Sequence, residues 1–362
     1  MAYYADKYFF EDEETMVANQ RLSQGILDFG WFHVATERVR VAPAQWQRGL
    51  TYDDCNVGRY GWDAIPENIR HNYSMAARGS VLVPDLPDLG YTINRKSEVW
   101  SDNCAALYEE SKARRWAPAV DIDWEAAKTA LKSPEQIKAM RQLCTAMEEI
   151  ALAILEFPGR WVFWINQELL ELKSYLCAQM IDQARHVEVL RKRALTIGGL
   201  GRASAVIEQA LKEMVSAETY PAGSLTVNVM LNSLVLGVQR SAAAASDVDA
   251  KMFRLCMQDT ARQLAYATGH ARYYLRRNPA KAGLLHEHLD EVEHTLFGVA
   301  AAPELLEPLV ILTGGGTSRD QIERGREHVA TMHRRIVAEY FERLASAGLE
   351  RRERSRLARL LA

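Results

Sequence analysis

Four long segments with the period of an α-helix are the feature that most constrains the fold of this sequence. They run from about 134 to 156, 160 to 196, 224 to 245 and 248 to 277, as two consecutive pairs. Apolar residues that recur every three or four positions form one apolar stripe on each helix, and such stripes are buried when helices pack side by side. The sequence therefore predicts an all-α fold with a four-helix bundle as its core.

Signals for helix ends lie between these segments. Ser133-Pro134 provides a cap and a first-turn proline for the first segment, and Phe157-Pro158-Gly159 is expected to end it. Gly198-Gly199 follows the second segment, and Asn278-Pro279 follows the fourth. We therefore expect each segment to form one helix.

The remainder of the chain differs from the bundle in composition. Glycine and proline recur in residues 1–95, where only 40–43 and 80–83 suggest short strands, so an irregular N-terminal arm is predicted there. The bundle is predicted over 96–300, and a C-terminal helical extension over 301–362. The charged stretch HEHLDEVEH within the bundle region is expected to be a solvated helix face rather than a metal site.

Composition argues against several classes of partner and location. With 44 basic and 47 acidic residues, the net charge of −3 gives no reason to expect nucleic acid. The five cysteines are scattered without a C-x-x-C motif, which favours a reducing cytoplasm. The acidic start lacks the features of a signal peptide, and no uninterrupted apolar run approaches the roughly 20 residues that span a membrane. A cytoplasmic protein with no nucleic-acid or membrane partner is predicted.

Two of the predicted helices carry similar short motifs. The second segment contains Asp182-Gln183-Ala184-Arg185-His186, and the fourth contains Asp259-Thr260-Ala261-Arg262-Gln263. Residues three and four apart share one face of a helix, so each motif presents its polar side chains together. The pair resembles the D-E-x-R-H signature of the ferritin-like diiron-carboxylate superfamily. That superfamily includes the ribonucleotide reductase small subunit and the hydroxylases of bacterial multicomponent monooxygenases. The resemblance implies a ferritin-like bundle with additional helices around it.

Few metal ligands remain when the signature is carried over position by position. The resemblance places metal ligands at Gln183, Thr260 and Gln263, and this chain has a neutral side chain at each of these former ligand positions. His186 is the histidine that the signature requires. Two metal cations need several anionic oxygens to offset their charge, and these positions provide none.

The carboxylates of the preceding helices are also few. In this superfamily, the helix before each motif contributes one further glutamate ligand. Before the first motif, Glu149 is the residue at that place, whereas Glu148 is expected to face solvent. In the second half, no acidic residue lies between Thr219 and Ser246. Glu149 and His186 are therefore the residual metal ligands of this sequence. Two alternatives stay open for them: a single-metal site completed by water, Glu171 or Glu188, and a buried histidine that binds no metal.

The remaining motif residues have a use without metal. The resemblance implies that Asp259 accepts a hydrogen bond from His186, and that Asp182 does the same for Gln263. A hydrogen-bonded network is therefore predicted from the acid and the arginine of both motifs: Asp182, Arg185, Asp259 and Arg262. No cofactor is expected in this chain, and non-heme iron is expected only in a partner subunit.

Three functions are compatible with these features. The favoured hypothesis is a ferritin-like subunit of a diiron-type oxygenase (hydroxylase) complex, acting as the non-catalytic structural partner of a metal-bearing subunit and with little or no activity alone. The second is a non-heme metal oxidase or oxygenase with an atypical, mononuclear or partner-completed site. The third is a ligand-binding or assembly protein that forms a homodimer. The sequence predicts no substrate, because such a pocket is formed by side chains scattered over four helices.

Overall fold

The computed structural model describes residues 13–27, 29–35, 42–51, 53–55, 67, 77, 80–81 and 94–361, and most of these residues are helical. No strand occurs in these ranges, so the predicted all-α class is confirmed. The strands predicted at 40–43 and 80–83 extend outside the described residues. The chain divides into two compact units, Met1–Lys96 with Trp164–Leu170 and Ser97–Phe163 with Glu171–Ala362.

Among its described residues, the smaller unit contains an α-helix and several short turns. Helix α1 spans Glu13–Ser23 and is followed by 3-10 turns at Gly30–His33, Trp46–Arg48 and Asp53–Cys55. The Asp54 carboxylate holds the loop before the last turn, because it accepts hydrogen bonds from the backbone N–H of Ala44 at 2.8 Å and of Thr51 at 2.7 Å. Longer-range backbone hydrogen bonds also occur within this unit, from Asn94 to Trp164 at 3.0 Å and from Lys96 to Glu67 at 3.2 Å.

The helices from Lys96 onward are α2 (Lys96–Val99), α3 (Cys104–Ala113), α4 (Pro118–Asp121), α5 (Trp124–Thr129), α6 (Pro134–Val162), α7 (Leu170–Thr196), α8 (Ala205–Val215), α9 (Tyr220–Gly223), α10 (Asn232–Ala242), α11 (Asp247–Arg277), α12 (Ala282–Ala301), α13 (Pro303–Gly314) and α14 (Arg319–Ser346). A π-helical segment, Ser224–Leu231, joins α9 to α10. Short 3-10 turns lie at Gln167–Leu169, Pro279–Lys281 and Arg356–Leu361.

The predicted four-helix bundle is present and consists of α6, α7, α11 and the continuous helical stretch Tyr220–Ala242. Polar side chains link these helices inside the bundle. Arg193 of α7 forms a buried ion pair with Asp249 of α11 at 2.6 Å. Gln179 of α7 donates to Asn228 of the π-helical segment at 2.8 Å. The bundle interior is therefore polar in part, and the motifs of α7 and α11 lie within it.

Two predicted helix ends are wrong. Helix α6 continues through Pro158 to Val162 instead of stopping at residues 157–159. Proline removes one backbone hydrogen bond from a helix, but burial of the surrounding side chains offsets that loss here, since Phe157, Pro158 and Trp161 are all buried. Helix α7 correspondingly begins at Leu170 rather than near residue 160.

The π-helical segment and α10 form the most apolar part of the chain. Among the described residues, Tyr220–Ala242 is long and apolar enough to cross a membrane, and its most apolar window is wholly buried inside the fold. The bent pair Pro279–Ala301 and Pro303–Gly314 meets the same criteria only when counted as a single span.

The charged stretch of α12 is not simply a solvated face, as the sequence suggested. Glu293 is buried, and its carboxylate accepts hydrogen bonds from Arg351 at 2.8 Å and from Tyr340 at 3.0 Å. Asp290 also pairs with Arg351, at 2.8 Å. Arg351 follows the last helix, so these contacts attach the C-terminal segment to α12.

The close crossing of α13 and α14 depends on glycine, which gives a test of the packing. A Cβ on Gly325 would lie 2.1 Å from the carbonyl oxygen of Val310, so Gly325→Ala is expected to lower the free energy of unfolding by about 1–3 kcal/mol. Gly298→Ala is the matched control: open space surrounds that helical position, and a gain of about 0.5–1 kcal/mol is expected. Urea unfolding followed by circular dichroism measures both; equal effects would contradict the crossing.

Candidate functional site

The two motifs meet at the centre of the bundle, where α7 and α11 lie side by side. Arg262 of α11 donates to Asp182 of α7 at 3.0 Å and also pairs with Asp259 on its own helix. Arg185 of α7 donates in return to Asp259 at 3.2 Å and pairs with Asp182. The four residues thus form a reciprocal cluster of two carboxylates and two guanidinium groups, which we call the Asp–Arg cluster. The sequence analysis placed these residues in one network, and the structure brings them together.

Asp259 has the most contacts in this cluster. Its Oδ2 atom accepts a hydrogen bond from the indole N–H of Trp116 at 2.8 Å and lies 3.3 Å from Nε2 of His186. The Arg185 guanidinium lies over the Trp116 ring, 5.3 Å from its centroid. The contact between Asp259 and His186 agrees with the one that the superfamily resemblance implied. The hydrogen bond predicted from Gln263 to Asp182 is not formed, because Asp182 pairs with Arg185 and Arg262 instead.

The charges of the cluster shift the pKa values of its members. Burial raises the pKa of Asp259, but hydrogen bonding and charge from His186, with the charges of both arginines, bring it below its usual value. Burial and the Asp259 carboxylate keep the pKa of Asp182 above its usual value. Burial lowers the pKa of His186, but the Cys256 sulfur and the Asp259 carboxylate outweigh it, so that pKa is raised. These shifts favour an ionised Asp259 beside a protonated His186.

The former ligand positions lie next to this cluster and form a core of neutral side chains. Gln183 donates to the side-chain oxygen of Gln263 at 2.8 Å, and Asn232 donates to the same oxygen at 3.1 Å. Thr260 donates to the side-chain oxygen of Gln239 at 3.1 Å. All five side chains are buried. This amide core joins α7, α10 and α11 through neutral hydrogen bonds.

Glu149 lies away from His186. The face of α6 toward His186 and Gln183 is apolar, and it consists of Met147, Ile150, Ala151 and Ile154. The carboxylate of Glu149 instead accepts a hydrogen bond from the backbone of Ser204, and burial raises its pKa. Glu148 is the neighbour that turns inward, contrary to expectation, and it pairs with Arg191 of α7 at 3.3 Å. The structure thus does not bring Glu149 and His186 together.

The space beside His186 is small. A cavity of about 10 Å³ lies between Gln183, His186, Gln239 and Cys256, which is room for roughly one water molecule. Several amide atoms of the core have no hydrogen-bond partner in the described part of the chain, including Oε1 of Gln183, Nε2 of Gln263 and Oδ1 of Asn232. The core can therefore accept or donate further hydrogen bonds to a small polar molecule.

Several residues of this site were not predicted from the sequence. Trp116 lies far from both motifs in sequence, and only its contact with Asp259 identifies it. Asn232 and Gln239 are polar residues within the most apolar helix, and that contrast is the signal that could have revealed them. Cys256 contacts His186 one helical turn before the motif of α11, and no pattern in the sequence indicates this role.

A second buried histidine, His270, predicts a loss of stability in acid. It is buried, and its Nε2–H donates to the carbonyl oxygen of Glu98 at 2.8 Å. Burial lowers its pKa from 6.5 to about 4. Between pH 6.5 and pH 4, His270 therefore binds a proton in the unfolded chain but not in the folded one. The free energy of unfolding falls as pH drops through this range, by an amount on the order of 3 kcal/mol. Chemical unfolding across this range measures the loss. His270→Gln cannot protonate, so its stability should change less; parallel curves would contradict the assignment.

Comparison with known proteins identifies the fold. An R2-like ligand-binding oxidase variant with an aerobically reconstituted Mn/Fe cofactor superposes with a TM-score of 0.51 and 16% identity, over 68% of this chain and 94% of that one. A second Mn/Fe variant gives a TM-score of 0.50 at 15% identity with the same coverage. A variant with an Fe/Fe cofactor gives 0.50 at 14% identity, again over 68% and 94%. No family model matches this sequence, and no curated protein matches it. The predicted ferritin-like fold is thereby confirmed.

These comparisons correct the expectation about cofactors. No cofactor was predicted in this chain, and iron was predicted only in a partner, whereas the solved proteins that share its fold carry Mn/Fe or Fe/Fe cofactors. The side chains at the centre of this bundle nevertheless do not fit a two-metal cofactor of that kind. In the described ranges, no three His, Cys, Asp or Glu residues form a group that could hold a metal ion. Neutral amides and a cavity of about 10 Å³ lie beside His186.

Proposed function

We propose that this chain is a ferritin-like subunit of an oxidase- or oxygenase-type complex, in which it is the structural partner of a related catalytic subunit. Its bundle contributes a rigid surface, and the Asp–Arg cluster fixes the relative positions of α7 and α11 within it. The amide core supports the same helices from the adjacent layer.

One observation carries this proposal. The side chains at the former ligand positions form hydrogen bonds within the bundle: Gln183 contacts Gln263 at 2.8 Å, and Thr260 contacts Gln239 at 3.1 Å. A hydrogen-bonded pair that is shielded from water holds its helices in one register. A ferritin-like bundle whose central side chains hold its helices together is what a structural subunit requires.

The smaller unit supports the existence of a partner. Three of its large aromatic side chains are strongly exposed: Trp31 at 70%, Phe32 at 68% and Trp46 at 83%. Soluble monomers rarely present large contiguous apolar surface, and aromatic residues are enriched at the centres of protein interfaces. Trp31 and Phe32 also stack against each other, with ring centroids 4.5 Å apart, so they form one apolar patch.

Native mass spectrometry of the tagged chain, purified from its own host, tests the proposal. The expected result is a stable hetero-oligomer with a second ferritin-like chain in fixed ratio. Trp31→Ser with Phe32→Ser should weaken that assembly, whereas Val120→Ser, which also removes an exposed apolar side chain, should leave it unchanged. Isolation of the chain without any second ferritin-like chain would overturn the proposal, and an assembly that the aromatic substitutions leave intact would exclude this patch as its interface.

A second candidate function is a metal-dependent oxidase. The observation that favours it is the Mn/Fe or Fe/Fe cofactor of the solved proteins with this fold. Metal per chain, measured after growth with added iron and manganese, distinguishes the two candidates. A near-stoichiometric metal content that His186→Ala abolishes would support the oxidase and contradict a purely structural role.

A further inference from the structure

Two adjoining cavities lie against α12 and the C-terminal turn Arg356–Leu361, and the inner one is also lined by α10 and α14; no residue of the two motifs lines either. The outer one is a cleft of about 760 Å³. The inner one has a volume of about 40 Å³. Phe297, Leu357 and Leu360 line both, so only these side chains lie between the cleft and the inner cavity.

The inner cavity is almost wholly apolar. Its remaining walls are formed by Leu234, Leu296, Ala300, Ala301, Ile336, Val337 and one polar residue, His333. Apolar cavities of this kind are poorly hydrated and favour an apolar guest over water. Nε2 of His333 is buried and has no hydrogen-bond partner in the described part of the chain. Burial lowers the pKa of His333, so the ring stays neutral beside an apolar guest.

The outer cleft has a positively charged rim. Arg356 and Arg359 line it, both are exposed, and neither forms an ion pair within the described ranges. The acidic residues of the same cleft are already paired, since Glu293 binds Arg351 and Asp290 binds both Arg351 and Arg354. Two uncompensated guanidinium groups therefore lie at the mouth of an apolar cavity, and planar guanidinium groups bind carboxylates with well-defined geometry.

We propose that this cleft binds a small amphipathic anion, a carboxylate on an acyl chain of medium length. The carboxylate contacts Arg356 and Arg359, and the chain passes Phe297 and ends in the inner cavity beside His333. The site is independent of the proposed role as a structural subunit, because it uses no residue of the Asp–Arg cluster or the amide core.

Isothermal titration of the full chain with sodium octanoate, below its micellar concentration, tests this site. The expected result is saturable binding of one octanoate per chain, with octanol, which has the chain but no charge, at least tenfold weaker. Arg356→Gln with Arg359→Gln should weaken octanoate binding at least tenfold and leave octanol binding unchanged. Arg352→Gln is the matched control, since Arg352 is an exposed arginine of the same segment that does not line the cleft.

The apolar half of the site is tested separately with Ala300→Phe, which fills the inner cavity. Octanoate binding should fall at least tenfold while the thermal unfolding midpoint stays within a few degrees of the parent. The arginine substitutions are at the surface, so they keep the proposal testable if Ala300→Phe disturbs folding. Absence of saturation by octanoate, equal binding by the arginine variants, or equal affinity for acetate would each overturn the proposal.

Discussion

Asp259→Asn is expected to destabilise the chain by about 3–5 kcal/mol, the cost of breaking a buried ion pair on one side. Trp116, Arg185 and His186 all direct N–H groups at one carboxylate oxygen of Asp259. In the variant, an N–H₂ group at that position would face these donors and could not accept their hydrogen bonds. The substitution also leaves the buried guanidinium of Arg262 and the partly buried one of Arg185 with a single carboxylate between them. Urea unfolding followed by circular dichroism at pH 7 measures the effect.

Glu188→Gln is the matched control for Asp259→Asn. Glu188 lies on α7 and pairs with Lys192, but that pair is at the surface, with 46% of the Glu188 side chain exposed. Exposed pairs contribute about 0–1 kcal/mol, so little change is expected. An Asp259→Asn protein whose stability equals that of Glu188→Gln would contradict a structural role for the Asp–Arg cluster.

Gln183→Glu is expected to have an effect of similar or greater size, because it places a carboxylate in the amide core. Gln183 is fully buried and donates to the side-chain oxygen of Gln263, and a carboxylate there would face that oxygen without a proton to share. Complete burial raises a carboxyl pKa by up to about 3–5 units, which corresponds to roughly 4–7 kcal/mol of lost stability at high pH.

The sign of the pH dependence identifies the cause of that loss. The folded-state pKa of the new glutamate would be raised, so the penalty should be largest at high pH and disappear as pH falls to the usual value near 4.3. Unfolding measured from pH 8 down to pH 5 checks this trend. Gln209→Glu, at an exposed position of α8, should show no such trend. A Gln183→Glu protein as stable as its parent at pH 8 would show that the core tolerates negative charge.

The bundle and the Asp–Arg cluster could be predicted from the sequence because each depends on local spacing. Helical periodicity locates α6, α7 and α11, and the motifs place Asp182 three residues from Arg185 and Asp259 three residues from Arg262. Once the two helices lie side by side, these pairs can bind each other. The contact between Asp259 and His186 was accessible only through the superfamily resemblance, because it joins different helices.

The orientation of α6 was not obtained correctly, and the reason is geometric. Adjacent residues of a helix point about 100° apart, so Glu148 and Glu149 cannot face the same neighbours. Choosing Glu149 as the inward carboxylate therefore rotated the whole of α6 by about that angle in the prediction. The apolar stripe of Met147, Ile150, Ala151 and Ile154 follows the helical period and is visible in the sequence. Using that stripe to orient the helix would have placed Glu149 away from His186.

The polar residues of Tyr220–Ala242 could not be assigned from sequence, because a π-helical segment changes the period. Residues that share a face in an α-helix are displaced after such a segment, and spacing no longer tells which side chains meet. Asn228 contacts Gln179, whereas Asn232 contacts Gln263. Only the three-dimensional arrangement distinguishes these two roles.

The coupling free energy between Asp182 and Arg262 tests most directly whether the two motifs serve to join α7 and α11. A double-mutant cycle with Asp182→Asn and Arg262→Gln isolates this contact, which is 3.0 Å long and has both side chains at most 5% exposed. A coupling of about 1.5–3 kcal/mol that persists in 1 M salt is predicted, because salt screens buried pairs weakly. A coupling below about 0.5 kcal/mol, or one that salt abolishes, would contradict the account.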